Sequence, residues 1–226
     1  MVARALVGAL LVRRAAGRLL IARIVETEAY GGLADPSSHS FRGATPRCAT
    51  MFGPVGRLYV YFTYGAHFCI NVVAGSRRAA TAVLLRAAEV ADLAEGAGVE
   101  AMRRGRLARA RPGATAGRLA RGELDGRLAT GPGNLAAAFS FDRRHDGIDL
   151  TRTGEAWLAA GQPPERVRWT PRVGLSSPLS SGWLWRCVDA GSDAATRVPA
   201  TWPSSWRPTP TIAAARRAVA RARAAE

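Results

Sequence analysis

Residues 23–32 read RIVETEAYGG and bring two carboxylates and a phenol together where an apolar run ends. Successive side chains of a β-strand point to opposite faces of the sheet, so every second residue shares a face. Read as a strand, this segment carries four side chains on one face: Ile24, Glu26, Glu28 and Tyr30. We therefore predict a strand from about Leu19 to the Gly-Gly pair, with a charged site at its far end.

The length and charge of the chain limit the class of protein to which it can belong. The 226 residues, 48% of them hydrophobic, suit one sizeable domain or two small ones with a real core. No apolar run reaches the roughly 18 residues of a membrane-spanning helix, so we expect no membrane partner. The 32 basic residues, all of them arginine, exceed the 17 acidic ones and give a net charge of +15. This excess favours a polyanionic partner, although composition alone leaves DNA, tRNA and rRNA open.

The cysteines and histidines show no spacing typical of a metal site. Cys48, Cys69 and Cys187 are odd in number, far apart and without a C-x-x-C pair, which argues against a disulfide framework or a zinc ribbon. The three histidines lack the spacing of zinc deaminases. Without lysine the chain holds no phosphate-binding G-x-x-x-x-G-K-[ST] loop. We expect neither a metal nor an organic cofactor.

The first fourteen residues, MVARALVGALLVRR, contain an apolar segment of about the minimum length for a signal peptide. Two arginines follow it, without a clear small-residue cleavage site. We therefore predict a short core helix at 5–12 that leads into the strand, and a cytoplasmic location.

Further elements follow from periodicity. Alternation over 58–63 and 67–73, with a break at Tyr64-Gly65, predicts a β-hairpin, and 81–88 predicts a third strand. An apolar helix is predicted to begin at Pro132, and the backbone N–H groups at its N-terminus could bind a phosphate. Short strands are expected near 155–160, 168–174 and 183–188. We expect one domain over residues 1–198, followed by a Pro-rich linker and a basic tail over 199–226.

Two features leave alternatives open. Residues 99–127 carry eight arginines in what we interpret as two short basic helices, or a helix and a loop; a solvated face and direct phosphate contact are equally consistent with them. All four tyrosines of the chain fall within residues 30–64. Their rings are consistent with the edge of a hydrophobic core, or with a site that stacks an extruded nucleobase.

Several motifs together resemble one family. They are ETEAY, HSFRGATPR, YVYFTYG, AVLLRAAE, ATGPGNLAAAF, DGIDL and TPRVGLSSP, and they span roughly residues 3–190. This combination resembles the alkyladenine (3-methyladenine) DNA glycosylases, which excise alkylated purines. The resemblance implies a single mixed α/β (α+β) domain with a curved antiparallel sheet, a protruding β-hairpin and surrounding helices. It further implies a monomer that acts on double-stranded DNA containing alkylated purines, at the bacterial nucleoid.

The resemblance also implies residue roles. Glu28 would activate a water, and Arg86 would help to hold it. Tyr30, His39 and Tyr61 would enclose the flipped base. Asn71 would stand at the pocket floor and reject guanine by a clash with its exocyclic amino group. Tyr64 would intercalate into the DNA.

Spacing alone does not choose between Glu26 and Glu28; the resemblance does, and we expect Glu26 to be a salt-bridged carboxylate. Two positions depart from the family pattern, because Cys48 stands where asparagine is frequent and Asn134 where lysine is frequent. The cysteine makes the family's local loop contact less certain here, and the asparagine does the same for its phosphate contact. The alternative function is a non-catalytic nucleic-acid-binding module of the same fold. A tRNA formyltransferase-like domain is a third reading, without a folate site to support it.

Overall fold

The RIVETEAY segment lies in the longest strand of the sheet, β2 (Arg18–Tyr30). One edge of β2 pairs with β5 (Thr81–Ala91). The other edge is shared, since its first half pairs with β1 (Leu10–Ala15) and its last residues pair with β8 (Arg186–Asp189). The acidic end of β2 therefore has a hydrogen-bonded neighbour on both sides.

The computed structural model describes residues 2–76, 78–91, 96–175 and 177–197, together with Arg217 and Ala220, which are helical. The remaining strands of this part are β3 (Leu58–Thr63), β4 (His67–Ala74), β6 (Ala156–Ala159) and β7 (Val167–Thr170). The helices are α1 (Val2–Leu6), α2 (Ala97–Leu107), α3 (Ala114–Ala120) and α4 (Pro132–Ala138).

All strand pairs are antiparallel, and the sheet runs in the order β3-β4-β5-β2-β1-β6, with β8 between β2 and β7. The expected fold class is confirmed: one mixed α/β domain with a curled antiparallel sheet and four helices in the described residues. No helix in the described residues has the length and apolarity required to cross a membrane. The predicted linker and tail at 199–226 lie outside the described residues, apart from Arg217 and Ala220.

The predicted helix at 5–12 was wrong. The helix spans Val2–Leu6, and from Leu10 the chain forms β1, which turns at Ala16 and Gly17, both at positive φ, to pair with β2. A short apolar run does not distinguish a helix from a buried strand, and here the hairpin partner decides. The strand predicted near 168–174 ends earlier, at Thr170, because Pro171 cannot donate a ladder hydrogen bond.

Alternation along β3, β4 and β5 separates two faces of the sheet. Leu58, Val60, Ile70, Val72, Val83 and Leu85 pack into the main core with the residues of α2 and α4. The intervening residues Tyr59, Tyr61, Cys69, Asn71, Leu84 and Arg86 line a cleft on the other face. The predicted hairpin and third strand are thus confirmed, and they divide a hydrophobic side from a polar side.

The pairing of β2 with β5 contains two adjacent irregularities, one in each strand, and they interrupt the alternation of side chains. Ile24 pairs with Ala88 and Glu26 with Ala87, which leaves Val25 unpaired in β2; the next pair, Thr27 with Leu85, leaves Arg86 unpaired in β5. Such a bulge turns two successive side chains to the same side. The prediction that Ile24 shares a face with the carboxylates was therefore wrong. Ile24 lies in the main core, whereas Val25 packs with Ala87 in a separate small cluster.

Candidate active site

One cleft of about 310 Å³ opens at the acidic end of β2. Its walls include every residue that the sequence singled out for the site: Glu28, Tyr30, His39, Tyr61, Tyr64, Asn71 and Arg86. They come from four neighbouring strands, a turn and the loop after β2. The structure thus brings together residues as much as 58 positions apart, such as Glu28 and Arg86.

Glu28 is fully buried and held from several directions. Its Oε1 accepts a hydrogen bond from the Val173 N–H at 2.7 Å and lies 3.3 Å from the Arg86 Nη1. Its Oε2 accepts a hydrogen bond from the Tyr30 hydroxyl at 3.0 Å. Three donors from three parts of the chain therefore fix this carboxylate at the cleft wall.

Glu26 is the salt-bridged carboxylate that the sequence analysis expected, and it does not line the cleft. Its Oε1 accepts from Arg86 Nε at 2.6 Å and Arg186 Nε at 2.7 Å, and its Oε2 accepts from the Thr196 N–H at 2.7 Å. Burial alone raises the pKa of Glu26, but the charges of Arg86 and Arg186 outweigh it and lower the pKa overall. Glu26 is thus a carboxylate whose charged form the two arginines stabilise, and it anchors them in turn.

Arg86 connects the two carboxylates. Its Nε contacts Glu26 and its Nη1 faces Glu28 at 3.3 Å. Burial lowers the pKa of this guanidinium, but the neighbouring charges of Glu28 and Glu26 raise it further than burial lowers it. Arg86 is therefore a fixed cation whose far end lines the cleft beside Glu28.

Aromatic rings form the sides of the cleft. The His39 ring meets the Tyr61 ring edge-on, with centroids 4.5 Å apart, and His39 Nδ1 lies 2.9 Å from the Tyr59 hydroxyl. Burial, and secondarily the charge of Arg47, lowers the pKa of His39, so its ring is neutral near pH 7. Burial raises the pKa of Tyr30 and of Tyr61. The cleft therefore offers neutral π-faces.

Tyr59 was given no role by the sequence analysis, although its ring lines the cleft 5.5 Å from the Tyr61 ring. The signal was present, because Tyr59 lies two residues before Tyr61 on the same strand face.

Asn71 is buried at the cleft wall, where its Nδ2 donates to the Tyr59 carbonyl at 3.1 Å. The two neighbouring strands thereby hold the asparagine amide in one orientation.

Arg172 and Asp35 form a buried pair behind the cleft that the sequence analysis missed. Arg172 Nη2 donates to Asp35 Oδ1 at 3.0 Å, and the guanidinium carbon lies 4.6 Å from the centre of the Tyr30 ring. The next residue, Val173, donates its N–H to Glu28. Asp35 and Arg172 are 137 positions apart in the sequence, so no local pattern reveals that this pair supports Tyr30 and Glu28.

Tyr64 lies at the tip of the β3–β4 hairpin with 87% of its surface exposed. Its φ is +53° and that of Gly65 is +63°, and the Ala66 N–H donates to the Thr63 carbonyl at 3.1 Å. Positive φ at both central residues is typical of a type I′ turn, where glycine and asparagine are preferred. A tyrosine in this conformation costs about 1 kcal/mol or more relative to glycine.

The two positions that depart from the family pattern, Cys48 and Asn134, do not line this cleft. Cys48 is buried beside Thr45, and the Asn134 Nδ2 donates to the Thr130 carbonyl at 2.7 Å. The three cysteines are free. Within the described ranges, no group of three or more His, Cys, Asp or Glu side chains is placed to hold a metal ion.

A sequence model of methylpurine-DNA glycosylase matches residues 1–193, which include every side chain of the cleft. The chain belongs to the methylpurine-DNA glycosylase family. Curated relatives carry the name "Putative 3-methyladenine DNA glycosylase". One from Frankia casuarinae is 44% identical over 174 residues, covering 75% of this chain and 76% of the relative. One from Mycolicibacterium fortuitum is 42% identical over 204 residues, covering 87% and 93%.

Proposed function

We propose that the protein removes 3-methyladenine and other alkylated purines from duplex DNA by hydrolysing the N-glycosidic bond. The observation that carries the proposal is the placement of Glu28 and Arg86 in a cleft with aromatic sides. A carboxylate fixed beside neutral rings suits a reaction in which positive charge develops on a sugar next to a planar base. The family membership and the names of the relatives support the same class of reaction.

The proposed reaction is a displacement by water. As the bond between C1′ and the purine nitrogen breaks, its electron pair leaves with the base and the sugar gains oxocarbenium character. Glu28 stabilises this charge and accepts a proton from the water whose oxygen bonds to C1′. Arg86, held by Glu26, helps to position that water. Glu26 takes no proton, because Arg86 and Arg186 keep it charged.

Substrate selection in this proposal follows from the charge of the lesion. A 3-methyladenine nucleotide is already cationic, so its base leaves without a strong general acid. The rings of Tyr30 and Tyr61 favour a cation by about 0.5–2 kcal/mol per contact. Asn71, at the floor of the base-binding pocket, would exclude guanine by a clash with its exocyclic amino group. Deaminated purines such as hypoxanthine are a proposed further substrate class, which would gain ring stacking without the charge.

Access to the cleft requires that the nucleotide leave the helix, because its bond is unreachable within the base stack. Tyr64 is the proposed wedge, since its exposed ring lies at the cleft margin on the tip of the β3–β4 hairpin. Flipping costs a few kcal/mol and is cheapest where damage has weakened the pair. The protein would act as a monomer on chromosomal DNA at the bacterial nucleoid.

The protein has no lysine, so no lysine amine is available to form a Schiff base with the sugar. We therefore expect hydrolysis that leaves an intact abasic strand. Treatment of the reaction with borohydride should trap no covalent protein–DNA adduct; a trapped adduct would contradict the water mechanism.

The deciding experiment compares the wild-type protein with Glu28→Gln on duplexes that each contain one lesion, with free base as the readout. We expect the variant to lose release of 3-methyladenine while it still binds abasic-site DNA. Equal release by both proteins would remove Glu28 from the mechanism. No release by the wild type, together with intact DNA binding, would favour the non-catalytic binding module.

A further inference from the structure

A second cleft lies on the other side of the hairpin tip. It measures about 650 Å³ and opens between the tip, the end of α2, the loop before α3 and the start of α4. Tyr64 lines both clefts. The basic side chains in its lining are His67, Arg106, Arg109 and Arg111. The two clefts therefore adjoin at Tyr64.

Arg106 is the least expected of these residues, because only 9% of it is exposed. Its Nη1 donates to the Leu128 carbonyl at 2.6 Å, and no carboxylate in the described part of the chain forms an ion pair with it. Burial lowers its pKa. A buried guanidinium without a counter-ion is costly, so the structure holds a positive charge that an external anion would balance.

The arginines of 97–127 differ in whether they form ion pairs. Arg103 pairs with Asp125 and Glu100, Arg104 pairs with Glu100, and Arg118 and Arg121 pair with Glu123. By contrast, Arg106, Arg109 and Arg111 form no ion pair among the described residues, and all three line the cleft. Arg127 likewise forms no ion pair in the described part of the chain, but it lies outside the cleft lining. All three arginines of the cleft are thus without an ion pair, whereas four of the five outside it are paired with carboxylates.

Local packing places the unpaired arginines at the cleft. A Cβ on Gly105 would lie 2.5 Å from the Ala137 carbonyl oxygen, so this glycine allows α2 to approach α4 closely. Arg106, near the end of α2, and Arg109, two residues after it, both line the cleft together with residues of α4. The Arg109 guanidinium lies 4.9 Å from the centre of the Phe68 ring in β4, which directs it toward the hairpin.

We propose that this second cleft binds backbone phosphates of the DNA next to the point where Tyr64 enters, through Arg106, Arg109 and Arg111. The inference deepens the proposed function, on which it rests for the identity of the polyanion. Three cations along one cleft suit a chain of phosphodiesters better than a single small anion. Guanidinium groups also match phosphate oxygens in pairs, which fixes the register of the strand.

Salt dependence tests the assignment. Affinity for a duplex falls with salt by a slope of about 0.9 per phosphate contact, so each lost contact removes about one unit of slope. We would measure binding of the full-length protein to an undamaged duplex and to an abasic-site duplex over a salt series. The cleft variants are Arg106→Gln, Arg109→Gln and Arg111→Gln. The controls Arg104→Gln and Arg118→Gln remove the same charge from exposed, ion-paired positions.

Each cleft variant should reduce the slope by about 0.9 on both duplexes. Between 50 and 200 mM salt, the affinity of such a variant should therefore fall by a factor about threefold to fourfold smaller than that of the wild type. The controls should keep the wild-type slope. Equal slopes for Arg109→Gln, Arg111→Gln and the controls would overturn the proposal. Thermal melting identifies any unfolded variant; if Arg106→Gln does not fold, the two surface variants decide.

This outcome is separate from that of the catalytic proposal. Equal release of 3-methyladenine by wild type and Glu28→Gln would contradict the mechanism and leave the slopes unaffected. Normal release by the wild type together with unchanged slopes in all cleft variants would contradict only the phosphate site.

Discussion

The Tyr30 hydroxyl donates a hydrogen bond to the Glu28 Oε2 at 3.0 Å, across two residues of one strand face. The same ring has the Arg172 guanidinium 4.6 Å from its centre. Tyr30 thus has two functions: its hydroxyl restrains the carboxylate and its ring forms a side of the cleft. These functions can be separated by substitution.

Tyr30→Phe removes the hydroxyl and keeps the ring. A hydrogen bond to a charged group contributes about 1.5–3 kcal/mol, so its loss should reduce release of 3-methyladenine by at least about tenfold. Binding to abasic-site DNA should remain near wild type. The matched control is Tyr59→Phe, which removes a hydroxyl that faces His39 instead of Glu28. The interpretation is wrong if both variants release base at the wild-type rate.

Glu26→Gln should mainly affect folding. The substitution leaves the buried Arg86 and Arg186 without their shared anion, and breaking a buried ion pair costs about 3–5 kcal/mol. The free energy of unfolding, measured by urea titration, should fall by about that amount. Arg23→Gln is the control, because its pairs with Glu89 and Asp189 are only partly buried and its loss should cost less. A loss for Glu26→Gln no larger than for this control would refute the anchoring role.

The pKa of Glu26 also predicts an acid limit to stability. Its pKa in the folded protein lies below the ordinary value of 4.5, so the unfolded chain binds a proton first as the pH falls. The stabilisation is complete above about pH 5 and is lost as the pH falls through the folded-state value. Unfolding experiments from pH 7 down to about pH 3 should show a steeper loss in the wild type than in Glu26→Gln. Parallel curves would contradict the prediction.

Tyr64→Gly should separate stability from function. Glycine adopts positive φ freely, so the turn should gain up to about 1 kcal/mol, measured as a higher melting temperature. Release of 3-methyladenine from duplex DNA should fall, because the wedge is lost. Release from single-stranded DNA should fall less, since no stack has to be opened. Tyr64→Phe keeps a ring of similar shape and should retain activity on duplex DNA; a large loss there would argue against a wedge.

Local periodicity predicted those parts of the fold in which a pattern and its partner are close in sequence. The hairpin around Tyr64 and the helix that begins at Pro132 are examples. It failed at residues 5–12, where a short apolar run suited helix and strand equally. The unpaired residues Val25 and Arg86 were beyond its reach, because a bulge depends on the register with another strand.

The same contrast between local patterns and distant contacts holds for the candidate site. The convergence of Glu28, Tyr61 and Arg86 came from the family resemblance, since spacing left Glu26 and Glu28 equivalent. The structure distinguishes the two glutamates by what surrounds them: Arg186 and Thr196 enclose one of them from more than 150 positions away. The pair of Asp35 and Arg172 was missed for the same reason, because each residue acquires its role only through distant contacts.

The contact between Glu26 and Thr196 has a consequence for biosynthesis. During translation, a nascent chain contains Glu26, Glu28 and Arg86 long before Arg186 and Thr196 emerge from the ribosome. Two acids then share one guanidinium, and the first acid lacks three of its donors. We therefore expect unfinished copies to be unable to complete the surroundings of Glu26, and so to lack the proposed activity, until Thr196 has emerged from the ribosome.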